Sequence, residues 1–289
     1  MNGLENVISP ITKFEESDIP GLIELSSSVG WDYDRNEINT IMLSGNVYGH
    51  KNKDGRIVSS AAIIRYGLKL ASIGMVIVRQ EYRGLGLGRK ATQKCLESIP
   101  DHMPAMLIAT EDGKPMYEKM GFHFTDCVHK YLCSNYRFTP SSRNIVANIQ
   151  PMYMEDLPQV IKIDKDAFGV ERGAFLRHRY NQAKEAVLVK SPDGQVVGYG
   201  LSILGPINLI VGPIVAPNAD IAFAIVNQLA KQHSGKVRID VPSENEPFMS
   251  YIEACGFEKA NQPPIMITKA NHLPARNKTL FGIAAQIFG

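Results

Sequence analysis

The stretch from Ile73 to Lys90 reads IGMVIVRQEYRGLGLGRK, and it joins an apolar run to a glycine-rich loop and a helical pattern. The apolar run is typical of a buried strand. Gly84, Gly86 and Gly88 come next, and glycine allows backbone amides to close around a ligand. The helix that follows begins with unpaired N–H groups and a partial positive charge. The stretch therefore predicts an anion-binding turn between a strand and a helix.

Two other phosphate-binding patterns fit this loop less well. The dinucleotide fingerprint is GxGxxG, whereas the loop has glycines at alternating positions and Arg89 in the sixth place. A Walker A loop is GxxxxGK[ST], and the Gly-Lys-Ser/Thr ending is missing here. The sequence therefore disfavours both a dinucleotide-binding fold and a nucleoside triphosphatase.

The loop does match an acyl-coenzyme A pattern, Arg/Gln-x-x-Gly-x-Gly/Ala, across Arg83–Gly88. A second motif lies downstream in KPMYEKMGF, where Tyr117 stands four residues before Gly121. With these motifs and its order of elements, the segment 8–135 resembles the GNAT-type N-acetyltransferase superfamily. The implied fold class is α/β (α+β), with a mixed, mostly antiparallel twisted sheet flanked by helices.

The chain also repeats itself, because four landmarks recur in the same order and at near-constant spacing in its two halves. The pairs are Asp18-Ile19-Pro20 with Asp156-Leu157-Pro158, Asp54-Gly55 with Asp193-Gly194, Val78 with Val215, and Gly121-Phe122 with Gly256-Phe257. We predict two tandem GNAT-like domains, an N-terminal one at 1–138 and a C-terminal one at 145–289. The polar stretch NYRFTPSSRN at 135–144 is the predicted join.

The second half lacks the residues that would hold a cofactor. Asp220 stands where Arg83 stands in the first half, and Ile252 stands where Tyr117 stands. No glycine loop follows Pro217, and an acid repels a phosphate. Three short segments of the second half resemble those of bacterial two-domain members with a divergent C-terminal GNAT domain. They are IDKDAFG at Ile163–Gly169, GPIV at Gly212–Val215 and DVP at Asp240–Pro242. We therefore expect one acetyl-CoA site, and we expect the apolar segment Leu280–Phe288 to dock on the second core.

The resemblance implies roles for particular residues. The backbone of Val76, Ile77 and Val78 would pair with the pantetheine arm of acetyl-CoA. An N–H near Val78 would stabilise the oxyanion of the tetrahedral intermediate that forms during acetyl transfer. The predicted pyrophosphate-binding residues are Arg83, Gly84, Leu85, Gly86, Leu87, Gly88 and Arg89. Thr110 would contact the cofactor, and Tyr117 would act as general acid, although a packing tyrosine is the alternative.

The acceptor side is less defined by the sequence. Trp31 and Asp32 lie between the first two helical segments, where such enzymes shape the acceptor pocket, with core packing of Trp31 as the alternative. No single general base can be identified. The candidates are Asp32, Glu81, Glu111 and Asp112.

Composition sets the broad class. The chain has 289 residues, 44% of them hydrophobic and 21% charged, as in an ordinary globular protein. Its net charge is only +2, and it contains no long apolar run or signal-like start, so we expect no nucleic-acid partner, no membrane association and a cytoplasmic location. The four scattered cysteines are predicted to be free thiols, and no metal is expected.

The predicted function is transfer of an acetyl group from acetyl-CoA, as cosubstrate, to a primary amine of a small molecule. The amine would attack directly in a ternary complex, and the protein would be a monomer or a homodimer. The alternative is a non-catalytic acyl-CoA-binding sensor. Transfer of aminoacyl or longer acyl groups is a third, less favoured possibility, and the sequence leaves the acceptor open.

Overall fold

The computed structural model describes residues 8–137, 148–243 and 245–289. The strands of the first half are β1 (Thr12–Lys13), β2 (Gly45–Lys51), β3 (Ile57–Tyr66), β4 (Leu70–Val78), β5 (Ala105–Ile108) and β6 (His123–Cys133). Its helices are α1 (Ile19–Ser27), α2 (Arg35–Ser44), α3 (Leu87–Glu97) and α4 (Lys114–Glu118). The predicted join falls mostly outside the described residues, and so do the ends of the predicted domains at 138 and 145.

The second half repeats this order of elements and has two further strands. Its strands are β7 (Asn148–Pro151), β8 (Glu185–Lys190), β9 (Val196–Leu204), β10 (Asn208–Val215), β11 (Lys236–Pro242), β12 (Glu258–Asn261), β13 (Pro264–Thr268) and β14 (Leu280–Gly282). Its helices are α5 (Leu157–Phe168), α6 (Gly173–Gln182), α7 (Ala219–Ala230) and α8 (Glu246–Ala254). Two strands, β12 and β13, stand where the first half has β6, and β14 is added at the end. The internal repeat predicted from the landmarks is thereby confirmed.

Local sequence explains the matching turns. Gly55 and Gly194 have φ angles of 78° and 82°, so the same left-handed glycine turn joins β2 to β3 and β8 to β9. Pro20 and Pro158 lie in the first turns of α1 and α5, where a missing N–H costs nothing. Both signals were visible in the sequence.

The two halves share one sheet because they exchange strands. The order is β1-β2-β3-β4-β5-β13-β6-β11-β10-β9-β8-β7, and neighbouring strands are antiparallel except β4 with β5 and β10 with β11. β13 of the second half lies between β5 and β6 of the first. β6 spans both halves, since His123–Cys127 pairs with β13 while Val128–Cys133 pairs with β11. The exchange fixes the halves against each other.

The segment after β13 docks on both halves, which corrects the expectation that it packs on the second core. Within the second half, β14 pairs with β10. The Ser72 hydroxyl of β4 donates to the carbonyl oxygen of Ile287 (2.7 Å), and the Tyr66 hydroxyl of β3 donates to that of Phe288 (2.6 Å). Burial of this segment therefore stabilises the contact between the halves.

Within the described ranges, we find no helix with the length and apolar character needed to cross a bilayer.

Candidate cofactor and acceptor site

The two parallel strands of the first half separate at their ends. Ala71–Ile73 of β4 pairs with Ala105–Leu107 of β5, and no pairing joins the strands beyond those residues. A bulge begins there, with Met75 at a φ of 52° and its carbonyl oxygen held by the Ser60 hydroxyl at 2.8 Å. The edge of β4 at residues 76–78 therefore faces an open gap.

The glycine loop ends beside this gap. Gly84 and Gly86 have φ angles of 83° and 72°, which favour glycine, and Gly86 precedes α3 without a side-chain cap. Within the described part of the chain, none of the backbone amides of residues 84–89 donates a hydrogen bond. Arg83 and Arg89 are exposed on either side. The loop thus presents unpaired donors beside positive charge, which is the arrangement that an anion-binding turn requires.

Close packing joins the loop, β4 and α4. A Cβ atom built on Gly88 would lie 3.3 Å from Val78 Cγ2, 3.7 Å from Met116 Sδ and 3.8 Å from Val76 Cγ1. The short Gly88 therefore brings the start of α3 against the edge of the gap. Met116 was not singled out from the sequence, because an apolar residue on a short helix gives no signal of its own.

Tyr117 lies on α4 with only 7% of its surface exposed. Its ring packs edge-on against Phe122 at 5.9 Å, in a core cluster that also contains Cys95 of α3. Burial raises the pKa of the hydroxyl, and within the described ranges that hydroxyl makes no hydrogen bond. The phenol therefore keeps its proton at neutral pH, but Tyr117 is not among the residues that line the cavity described next.

A cavity of about 560 Å³ lies between the two halves at the open end of β4 and β5. The first half contributes the loop after α1, including Trp31 and Asp32, and residues 108–112 after β5. The second half contributes residues 203–206, and residues 285–287 close another side. The volume is within the range of small-molecule sites.

The predicted polar residues divide into those at the cavity and those outside it. Asp32, Glu111 and Asp112 line it, whereas Glu81 does not and lies 3.9 Å from Arg56. Thr110 is exposed at the cavity, where its Oγ1 accepts the Gly113 amide at 3.2 Å and so caps the turn before α4. The structure thus brings three of the four candidate bases to one place.

The corresponding gap of the second half is filled by its own chain. β10 and β11 pair only at Asn208–Ile210 with Lys236–Arg238, and β14 enters where they separate. The Ala216 amide donates to the Thr279 carbonyl oxygen at 3.0 Å. A backbone strand therefore occupies the gap that stays open between β4 and β5.

The helix start beside that gap is also satisfied. The Asn218 side chain accepts the Ile221 amide at 3.0 Å and caps α7. Asp220 accepts a hydrogen bond from the Tyr251 hydroxyl at 2.9 Å, and Ile252 is fully buried. These contacts leave the second half without the unpaired amides and open gap of the first.

Comparison with known proteins identifies the family. Profiles of the acetyltransferase (GNAT) domain match residues 33–140 and 160–282. The uncharacterized N-acetyltransferase YitH of Bacillus subtilis strain 168 is 34% identical over 285 residues, covering 98% of this chain and 100% of YitH. The chain belongs to the GNAT acetyltransferase superfamily. It contains two GNAT domains in tandem, as the repeat predicts.

Solved structures share the tandem GNAT fold. A candidate acetyltransferase from Pyrococcus horikoshii superposes with a TM-score of 0.80 at 19% identity, covering 98% of this chain and 96% of that one. A tandem GNAT protein from the clavulanic acid biosynthesis pathway has a TM-score of 0.63 at 14% identity, covering 90% and 98% of the two chains. At these identities the likeness establishes the fold alone, and the acetyltransferase assignment rests on the family.

Proposed function

We propose that this GNAT protein transfers an acetyl group from acetyl-CoA, bound by its first domain, to a primary amine of a small molecule. The observation that carries the proposal is the set of unpaired amides at residues 84–89, beside an open gap between β4 and β5. The filled gap between β10 and β11 supports cofactor binding by the first domain only. We propose domains at 1–138 and 145–289.

The open edge of β4 suits the pantetheine arm. The backbone of Val76, Ile77 and Val78 would pair with its amides as an added strand does, which requires no particular side chains. Val76 and Val78 are half-buried and flank the gap. Thr110 would contact the arm from the opposite strand.

The loop suits the pyrophosphate. Amides of Gly84, Leu85, Gly86, Leu87, Gly88 and Arg89 would donate to its oxygens, aided by the partial positive charge at the start of α3. Arg83 and Arg89 would add charge. A Cβ atom at Gly88 would lie 3.3 Å from Val78 Cγ2, so a larger residue here would have to displace that side chain.

Transfer then requires two proton movements. The amine nitrogen forms the new C–N bond, while the C–S bond breaks and leaves its electron pair on sulfur. Tyr117, kept protonated by burial, would donate its proton to that thiolate. A carboxylate at the cavity, Asp32, Glu111 or Asp112, would accept the amine proton, and an N–H near Val78 would stabilise negative charge on the carbonyl oxygen.

Release of free thiol from acetyl-CoA, followed over a panel of primary amines, tests the proposal. Continuous thiol formation that depends on one class of amine is the expected result. Tight binding of acetyl-CoA without turnover on any amine would contradict acetyl transfer and favour the sensor alternative. A longer acyl-CoA turned over faster than acetyl-CoA would contradict the proposed donor.

A further inference from the structure

We infer that the acceptor is an amine that also carries a carboxylate, and that Lys130 and Arg238 bind this carboxylate at the second-domain side of the cavity. The inference rests on the proposed function and defines its substrate class. It also gives the second GNAT domain a direct role, since its strand β11 supplies one of the two cations.

The strand exchange brings the two cations together. β6 and β11 are antiparallel with Lys130 opposite Asp240 and Arg238 opposite Leu132. Residues directly opposite each other, and residues two apart on one strand, share a face of the sheet. Lys130 and Arg238 therefore lie diagonally on one face, and both line the cavity.

Lys130 stands directly opposite Asp240, but its ammonium is not ion-paired with that carboxylate. It is half-buried, and within the described ranges its ammonium makes no hydrogen bond or ion pair. Burial and the charge of Arg238 lower its pKa, and the charges of Asp240 and Asp32 offset only part of this effect. A half-buried cation of this kind is stabilised by an anion that enters the cavity.

Arg238, the second cation proposed to bind the carboxylate, is held in place by Asp240. Its Nε and Nη2 atoms donate to one oxygen of Asp240 at 3.0 and 2.7 Å. Asp240 is almost fully buried and also accepts from Gln286 at 3.4 Å. Two cations thus adjoin the buried Asp240, and the Lys130 ammonium, which makes no ion pair within the described ranges, is available to a ligand carboxylate.

Acidic side chains of the first domain also line the cavity. Glu111 and Asp112 follow β5, where the acetyl group would be presented, and Asp32 lies close enough to Lys130 and Arg238 to interact with their charges. The Asn208 side chain of β10 donates to Asp32 at 3.3 Å and holds that carboxylate across the domain boundary. The ammonium group of the acceptor would be attracted to these acids, Glu111 and Asp112 above all, while its carboxylate binds Lys130 and Arg238.

The experiment compares each amino acid with the amine left by its decarboxylation, such as lysine with cadaverine, arginine with agmatine and phenylalanine with phenethylamine. Thiol release from acetyl-CoA gives kcat/KM for both members of each pair. We expect the wild-type protein to prefer the carboxylated member of the pair that it turns over. Lys130→Met should lower kcat/KM for that member roughly 10- to 100-fold, as the loss of a charge-assisted contact does, mainly through KM.

Three controls separate this inference from the proposed function. Lys130→Met should change kcat/KM for the decarboxylated member far less than for the carboxylated one, and should leave the affinity for acetyl-CoA unchanged. Lys190 is also a half-buried lysine on a strand, but it lies in the second half and does not line the cavity. Lys190→Met should therefore leave kcat/KM unchanged for both members of a pair. Lys130→Glu should reverse the preference within a pair, which a merely structural role of Lys130 would not produce.

Equal or better turnover of the decarboxylated amines by wild-type protein would overturn the inference while leaving acetyl transfer intact. So would an equal loss for both members of a pair in Lys130→Met. Failure of all amines in both sets, with acetyl-CoA bound, would instead contradict acetyl transfer itself.

Discussion

The backbone amide of Ile283 donates a hydrogen bond of 2.9 Å to the carbonyl oxygen of Asp240. This bond anchors the chain after β14 to β11, while β14 itself pairs with β10 on the other side of the gap. The second GNAT domain therefore contains, as part of its own chain, a strand at the position where the first domain has an open edge.

Enlarging Gly212 should expel this strand. A Cβ atom on Gly212 would lie 2.1 Å from the carbonyl oxygen of Ile283, so Gly212→Ala forces the segment away from β10. We expect a loss of roughly 1–3 kcal/mol in the free energy of unfolding, measured by denaturant titration. Gly205→Ala, where the nearest atom would be 3.2 Å away, is the control and should cost less. Equal stability of the two variants would show that the strand is not held in the gap.

The Tyr117 hydroxyl should matter for turnover and not for folding. Because it makes no hydrogen bond within the described ranges, Tyr117→Phe should leave Tm and the affinity for acetyl-CoA nearly unchanged. Loss of a general acid should lower kcat by about 100-fold. Tyr153→Phe, which alters an exposed tyrosine of the second half, is the matched control. Full activity in Tyr117→Phe would leave only the packing role.

A carboxylate side chain at Gly86 should abolish acetyl-CoA binding, whereas the same change at Gly55, in a similar turn away from the loop, should not. Gly86 and Gly55 both have positive φ angles, 72° and 78°, with no atom within 4 Å of a Cβ. Gly86→Glu and Gly55→Glu should therefore cost similar strain, about 1–2 kcal/mol. Only Gly86→Glu places a carboxylate at the proposed pyrophosphate site. Calorimetry should show loss of acetyl-CoA binding in that variant alone, and equal binding by both would reject the site.

His50 should make stability depend on pH. Its Nδ1 atom lies 2.7 Å from Ser59 Oγ, and burial, with a smaller effect of Lys90, lowers its pKa below the ordinary 6.5. The folded protein therefore holds His50 neutral while the unfolded chain binds a proton. The contribution of His50 to the free energy of unfolding is complete above pH 6.5 and is lost as the pH falls towards the lowered pKa.

The measurement is the free energy of unfolding between pH 5 and 8. His50→Gln should reduce its slope by at most about 1.4 kcal/mol per pH unit, the value for one proton. His102→Gln changes an exposed histidine and is the control. An unchanged slope in His50→Gln would show that His50 is not buried in its neutral form.

Local features of the candidate cofactor site, namely its strand, turn and helix, could be predicted from the sequence. The strand ending at Val78, the glycine turn at 84–88 and the following helix are contiguous, so propensity and glycine chemistry act within one short segment. The same applies to the hairpin at Gly55. The lack of a glycine loop around Asp220 could also be predicted, because comparing the two repeated segments of the sequence is enough to see it.

Features that depend on distant pairing could not be predicted. β13 between β5 and β6 reads like any apolar strand, and its partner depends on the packing of the whole chain. The same holds for β14 in the gap of the second domain. Lys130 and Arg238 reach one cavity only through the exchange of β6, so nothing in their local sequence distinguishes them from surface cations.

Calorimetric titration of the folded chain with acetyl-CoA, with Tm measured in parallel, tests the cofactor site most directly. The open gap of the first domain and the filled gap of the second predict heat of binding, one molecule of acetyl-CoA per chain and a rise in Tm. Neither heat nor a rise in Tm, with circular dichroism showing folded protein, would contradict the acetyl-CoA site. Two molecules per chain would contradict its confinement to the first domain.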